Sequence, residues 1–128
     1  IHGRWEDELF TRYQKQLVLK PGAIRPIANE RDFVFDTLLE SSQLADDVLA
    51  ADKKAIGTRD VYDDQYFETL FAETRPILEK RLSDAITAVA SMITSAWEQA
   101  GKPGLSATPP PRTPQRRRAG QAETPANP

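Results

Sequence analysis

The chain has 128 residues, enough for about one domain, with 17 Lys and Arg against 19 Asp and Glu. Residues 1–105 carry 13 basic and 18 acidic side chains, whereas residues 106–128 carry 4 basic and 1 acidic side chain. An acidic body is therefore followed by a basic tail. An acidic body argues against a broad nucleic-acid-binding surface, which needs clustered Lys and Arg. The absence of cysteine excludes disulfides and thiolate metal sites. No apolar run approaches the roughly 20 residues of a membrane span.

The first element is predicted to be a helix from His2 to about Leu19. Its apolar residues recur every four positions and form one stripe, namely Trp5, Leu9, Tyr13 and Leu17, with Phe10 beside them. Pro21 and Gly22 should end this helix. The stretch PGAIRPIANE then indicates a connector that closes on Asn29, a residue type that caps helix N-termini.

A second helix is predicted from about Glu30 to Ile56, with Gly57 as its stop. Its buried side should consist of Phe33, Phe35, Leu38, Leu39, Ala45, Val48 and Leu49. A third helix should begin between Val61 and Asp64, where acidic residues complement the positive end of the helix dipole.

Pro76 is predicted to separate this third helix from a fourth, because proline is tolerated best in a first turn. From Ile77 to Ala100 the apolar residues fall three or four apart, and Gly101 should end the helix. Trp97 is placed in the core. No alternating strand pattern competes, so the body is predicted to be all-α with about four amphipathic helices.

The domain boundary is placed after residue 102. Residues 103–128 contain seven of the ten prolines and almost nothing apolar, so we expect a disordered tail. The run Arg116, Arg117 and Arg118 is interpreted as a solvated charge run that could also touch anionic surfaces.

The stretch HGRWE contains the single histidine of the chain. On a helix, His2 and Glu6 would lie one turn apart on the same face, close enough to bind one ion. Imidazole nitrogen and carboxylate oxygen both suit zinc at roughly 2.0 to 2.2 Å, although a simple hydrogen bond or ion pair would satisfy the same spacing.

This stretch resembles the H-x-x-aromatic-Asp/Glu element of the zinc-dependent phospholipase C and single-strand-specific (mung-bean-type) nuclease superfamily. FVFDTLLESSQLADDVL is similar to a later helix of that family, and RPILEKRLSDAITAVASMI to its terminal helix. The resemblance implies that His2 and Glu6 bind one zinc of a three-metal cluster. In an intact enzyme the metals would polarise a phosphate ester and activate water for its hydrolysis.

The family's other ligands, which include several histidines and aspartates, lie upstream of this element and are missing from the chain. The sequence is therefore expected to be a C-terminal part, inactive alone, whose partners are the upstream helices of the same protein. No catalytic residue is assigned. The substrate would be single-stranded nucleic acid or phospholipid, and the family resemblance alone suggests a secreted or periplasmic location. Trp5 either lines the substrate cleft or anchors the first helix.

Other acidic and aromatic groups have structural interpretations. Asp32, Asp36 and Glu40 are expected to form a solvated helix face, and the pairs at 46–47 and 63–64 to occupy helix ends or the surface, because neither pair sits in a calcium-binding loop. Tyr66, Phe67 and Phe71 should pack rather than stack on bases.

The rival hypothesis is a non-catalytic helical interaction module with a proline-rich tail that acts as an extended peptide ligand. The fragment hypothesis also predicts an apolar surface left exposed where the upstream helices would sit. The sequence upstream of Ile1 would distinguish the two hypotheses, because a run of His and Asp ligands there would indicate the enzyme fragment.

Overall fold

A computed structural model describes residues 1–104 of the chain. Helical residues make up 73% of this part, which holds no strand, so the all-α prediction is confirmed. The N-terminal segment consists of a π-helical turn Arg4–Leu9, helix α1 Phe10–Tyr13 and a 3-10 turn Gln14–Gln16. Helices α2 Glu30–Ser42, α3 Ala45–Ile56 and α4 Asp64–Gln99 follow. The predicted tail from residue 105 onward lies outside the described residues.

The described residues form three α-helices longer than two turns, whereas about four helices were predicted. The boundaries of these helices also differ from the predicted ones. Pro76 was expected to start a new helix, but α4 continues through it without a break. Pro76 and Ala72, whose carbonyl loses its intrahelical donor, both lie on the exposed side of α4, so water can replace the missing hydrogen bond. Arg75 also bridges to Glu79 across the proline at 2.7 Å.

The predicted helix over residues 30–56 divides at Gln43 and Leu44 into α2 and α3. The hydroxyls of Ser41 and Ser42 bond back to carbonyls of their own helix, which weakens the last turn of α2. The break lets α3 bury Ala51 and Ala55 against α4.

Four helix-end predictions are confirmed. Asn29 caps α2 by accepting from the Asp32 amide at 3.1 Å, and Asp63 caps α4 by accepting from the Tyr66 amide at 2.8 Å. Gly57 and Gly101 follow the ends of α3 and α4 with φ of 52° and 79°, backbone angles at which glycine avoids Cβ strain.

The first helix ends at Gln16 rather than near Leu19, and residues 17–27 form an extended segment along α4, here called the strap. Its amides donate to side chains of α4 at 2.8 to 3.0 Å: Val18 to Glu79, Lys20 to Ser83, Gly22 to Thr87, Arg25 to Ser91 and Ile27 to Ser95. These acceptors are spaced four residues apart and form what we call the ladder.

The spacing of the ladder follows from backbone geometry. Two residues of extended chain advance about 6.6 Å and four residues of helix about 6 Å, so an amide every second residue of the strap can reach successive turns of α4. One step, from Gly22 to Arg25, spans three residues instead of two. Pro21 and Pro26, which have no N–H, occupy positions of the strap that do not donate to the ladder.

The core lies between the N-terminal segment, α3 and the first half of α4. It contains Leu9, Ala51, Ala55, Tyr66, Phe67, Leu70, Phe71 and Leu78, with Trp5, Tyr13 and Leu17 packed against it. The stripe predicted for the first helix is therefore confirmed, although Phe10 is exposed. Tyr13 stacks on Phe71 with a centroid distance of 4.2 Å.

Several residues predicted to be buried are exposed instead. Helix α2 buries no residue at all, and Phe35, Leu38, Leu39 and Leu49 are exposed. The apolar residues of α2 are spread around the helix, so its contacts with α4 cover few of them. The second half of α4 exposes Ile86, Val89, Ile93 and Trp97, which corrects the prediction that Trp97 is core. The exposed apolar surface expected of an incomplete domain is thus present.

The first testable prediction concerns the ladder. Ser95→Ala should lower the free energy of unfolding by about 1 to 3 kcal/mol, because it leaves the buried amide of Ile27 without an acceptor. Ser42→Ala is the matched control, since that exposed hydroxyl bonds only to Leu39 of its own helix. Urea unfolding checks both, and equal stability losses in the two variants would contradict the role assigned to the ladder.

The second prediction concerns the exposed half of α4. Because Val89 and Ile93 are 57% and 66% exposed, the chain should self-associate as its concentration rises. The double variant Val89→Gln, Ile93→Gln should stay monomeric in sedimentation velocity. Ile24→Gln, which changes an exposed apolar residue of the strap and not of α4, should associate like the wild type. A wild type that is monomeric at every concentration would refute this.

Candidate functional site

The N-terminal turn brings the two predicted metal ligands together. His2 Nδ1 lies 3.1 Å from Glu6 Oε1, as the spacing of four residues predicted, and the two side chains are 84% and 57% exposed. Two ligand atoms of a tetrahedral zinc ion with bonds of about 2.1 Å lie about 3.4 Å apart. The separation of the pair is close to that value, and it equally suits the hydrogen bond or ion pair that the sequence left open.

The structure offers two donors at this site and no more. Within residues 1–104, no group of three His, Asp or Glu side chains lies close enough together to hold a metal ion. A catalytic zinc normally takes three protein ligands and an open position for water. The described residues therefore bring together fewer donors than a catalytic zinc site requires.

An open cavity of about 530 Å³ adjoins the pair, between the N-terminal segment, the turn from α2 to α3, and α4. Its walls are mostly apolar and include Trp5, Leu44, Val48, Leu49, Ile77 and Leu82. His2, Glu6, Ser41 and Arg81 provide its polar groups. Trp5 both lines this cavity and packs against the core, so it anchors the N-terminal segment and also borders the open apolar space.

Arg81 is held at the cavity by several acceptors. Its guanidinium donates to the Ser41 hydroxyl at 2.5 Å and to the Thr37 carbonyl at 3.4 Å, and lies 3.4 Å from carboxylate oxygens of Glu40 and Asp84. These bonds join α2 to α4. The positive charge of Arg81 is thus largely compensated within the fold.

The other acidic candidates have structural partners. Asp32 accepts from the Asn29 side chain at 2.7 Å, and Glu40 pairs with Arg81. Asp63 caps α4, and Asp64 pairs with Arg12 at 2.7 Å. Asp46 and Asp47 lie in the first turn of α3, which supports their interpretation as helix-end residues.

The aromatic candidates Tyr66, Phe67 and Phe71 are buried, so the packing interpretation is confirmed. They pack on the N-terminal segment and α3 rather than on a separate fourth helix. Trp97 instead donates from its indole nitrogen to the Pro103 carbonyl at 3.0 Å, near the chain reversal at Gly101.

Arg4, which lies between His2 and Glu6 in the sequence, belongs to a cluster that the sequence did not indicate. Arg4 Nε donates to the Tyr66 hydroxyl at 3.0 Å, and Arg4 Nη2 lies 3.3 Å from Asp52 Oδ1. The Tyr66 hydroxyl donates to the same carboxylate. Burial, together with the hydrogen bond to Asp52, raises the pKa of Tyr66 to about 12.

Comparison with other proteins does not assign this site. No protein-family model, curated protein or solved structure matches the chain. None of the helices in residues 1–104 is long and apolar enough to cross a membrane.

The third prediction follows from the phenol of Tyr66. Its pKa rises from an ordinary 10 to about 12 on folding, so the folded state holds the proton more tightly than the unfolded state. This contribution to stability is complete below about pH 10 and is lost as the pH rises to about 12. Urea midpoints measured across this interval should therefore fall, and the fall should be smaller in Tyr66→Phe. An unchanged pH dependence in that variant would contradict the assignment.

Proposed function

We propose that this chain is the C-terminal helical part of a zinc-dependent hydrolase of phosphate esters, of the nuclease or phospholipase C type. In this proposal His2 and Glu6 bind one zinc ion of a three-metal cluster. The observation that carries it is the pair itself, with ligand atoms 3.1 Å apart, both side chains open to solvent, and an apolar cavity alongside.

Each residue of the site has a role that fits its chemistry. His2 would bind through a neutral imidazole nitrogen and Glu6 through a carboxylate oxygen, and neither would act as a nucleophile. When bound, zinc supplies Lewis acidity toward the phosphate ester and lowers the pKa of water to about 7. Trp5 and the apolar cavity would contact the uncharged part of the substrate, an unpaired base of single-stranded nucleic acid or the apolar part of a phospholipid.

The remaining ligands would come from upstream helices of the same protein. The described residues provide two donors, fewer than a catalytic zinc requires, so the chain alone should bind zinc weakly and hydrolyse nothing. The exposed apolar surface of α2 and α4 supports this proposal, because it offers an area on which further helices can pack.

The fourth prediction tests the metal ligands in the protein extended upstream of Ile1. His2→Ala or Glu6→Ala should each remove one zinc ion per molecule and most of the phosphodiesterase activity. Asp36→Ala is the control, because it removes a carboxylate from α2 that faces a different cavity. Metal analysis and hydrolysis of a phosphodiester substrate measure the two effects. An unchanged zinc content in both site variants would end the metal-ligand proposal.

A second candidate is a helical interaction module without catalytic ancestry. The specific observation in its favour is the exposed apolar stripe on α4 from Ile86 to Trp97, which a partner helix could also cover. Sequencing upstream of Ile1 separates the two. A run of His and Asp ligands there supports the hydrolase, whereas a start codon directly before Ile1 supports the module.

A further inference from the structure

We propose that Arg4, Asp52 and Tyr66 are positioning residues for the His2–Glu6 pair. We call these three residues the clamp. The inference rests on the proposed function, and it adds that the metal pair depends on side chains that never touch the metal. The clamp would hold the first turn of the chain in the conformation that brings imidazole and carboxylate together.

The position of Arg4 in the turn makes this possible. Arg4 lies two residues from His2 and two from Glu6, and two residues of helix make about half a turn. Arg4 therefore points into the body of the protein when His2 and Glu6 point away from it. The exposed fractions agree, since the Arg4 side chain is 23% exposed against 84% for His2 and 57% for Glu6.

The clamp joins three parts of the fold through a closed set of hydrogen bonds. Arg4 on the N-terminal turn donates to Tyr66 on α4 at 3.0 Å and to Asp52 on α3 at 3.3 and 3.4 Å. The Tyr66 hydroxyl also donates to Asp52. The guanidinium lies 3.8 Å from the ring centroid of Tyr62, which limits its movement further.

The helical type of this turn explains why it needs to be held. Residues Arg4–Leu9 form a π-helical turn, a rare conformation that occurs often at functional sites. Both of its ends are fixed to the body, Arg4 by the clamp and Leu9 by complete burial in the core. The π-helical turn begins between His2 and Glu6. Without the clamp the π-helical turn should change its conformation, and the distance between the His2 and Glu6 side chains should change with it.

The positioning role of Arg4 and its positive charge predict opposite changes in zinc affinity when Arg4 is removed. The positive charge of Arg4 repels a nearby cation, so its loss through charge alone would strengthen zinc binding. Loss of positioning would weaken zinc binding, because ligands held in place by outer partners bind metal about tenfold or more tightly than ligands without them. The direction of the change therefore separates the two effects.

The experiment uses the full chain and zinc itself. Zinc is titrated while the NMR signals of the His2 imidazole and of the amides of residues 2–6 are followed. Arg4→Met should lower the zinc affinity about tenfold, and Tyr66→Phe, which keeps the ring and loses only the hydroxyl, should lower it less. In both variants the heteronuclear NOE of residues 2–6 should fall before any zinc is added.

Arg12→Met is the matched control. Arg12 belongs to the same segment, pairs with Glu8 and Asp64 at 2.9 and 2.7 Å, and lies 4.2 Å from the ring centroid of Phe67. Its loss should lower stability but leave zinc affinity within twofold of the wild type, because Arg12 does not lie between the two ligands. A general loss of stability would affect zinc binding equally in Arg4→Met and Arg12→Met.

The possible failures are distinguishable. If zinc leaves the His2 imidazole signals of the wild type unchanged, the metal role of the pair is contradicted, and the clamp proposal falls with it. If zinc binds the wild type and not His2→Ala, yet Arg4→Met binds it equally or more tightly, the clamp proposal is wrong and the proposed function stands.

Discussion

The hydrogen-bond ladder between the strap and α4 is the constraint on which the arrangement of the other elements depends. An extended backbone laid on a helix finds no partners in that helix's own backbone, so its amides need side-chain acceptors. Glu79, Ser83, Thr87, Ser91 and Ser95 supply them at one per turn. Because Val18 is fixed near Glu79 and Ile27 near Ser95, the N-terminal segment must lie beside the first half of α4. Helix α2 must begin beside its C-terminal end, where Gln99 donates to Glu30 at 2.9 Å.

The same ladder explains which parts of the fold could be predicted from the sequence. Helix ends set by local chemistry were predicted, since the side chains of Asn29 and Asp63 and the backbone freedom of Gly57 act within one turn. The end of the first helix at Gln16 was not predicted, because the Val18 amide donates to Glu79, 61 residues away, instead of to a carbonyl of its own helix. A signal for the ladder does exist, in the hydroxyls that recur every fourth position within the apolar pattern of α4.

The candidate site also combines features that could be predicted from the sequence with features that could not. The His2–Glu6 pair is a spacing of four on one helical turn, and its geometry followed from the sequence. The cavity beside it depends on where the turn from α2 to α3 meets α4, and that turn was predicted to be continuous helix. The clamp joins residues 48 and 62 positions apart, beyond the reach of any local pattern. Local spacing thus identifies which residues could bind a metal, whereas only the tertiary structure brings Arg4, Asp52 and Tyr66 together.

The two halves of α4 connect the cavity with the exposed apolar surface. Leu78 and Leu82 line the cavity, and the residues three or four positions further along the same face are Ile86, Val89, Ile93 and Trp97. The first two are covered in part by the N-terminal segment and α3, whereas the later four are exposed. The cavity and the stripe are therefore one continuous apolar face. If the proposed function is correct, upstream helices packed on this face would begin beside His2 and Glu6. The further zinc ligands would have to lie at the same place. One surface would therefore both pack the upstream helices and bring their ligands to the metal site.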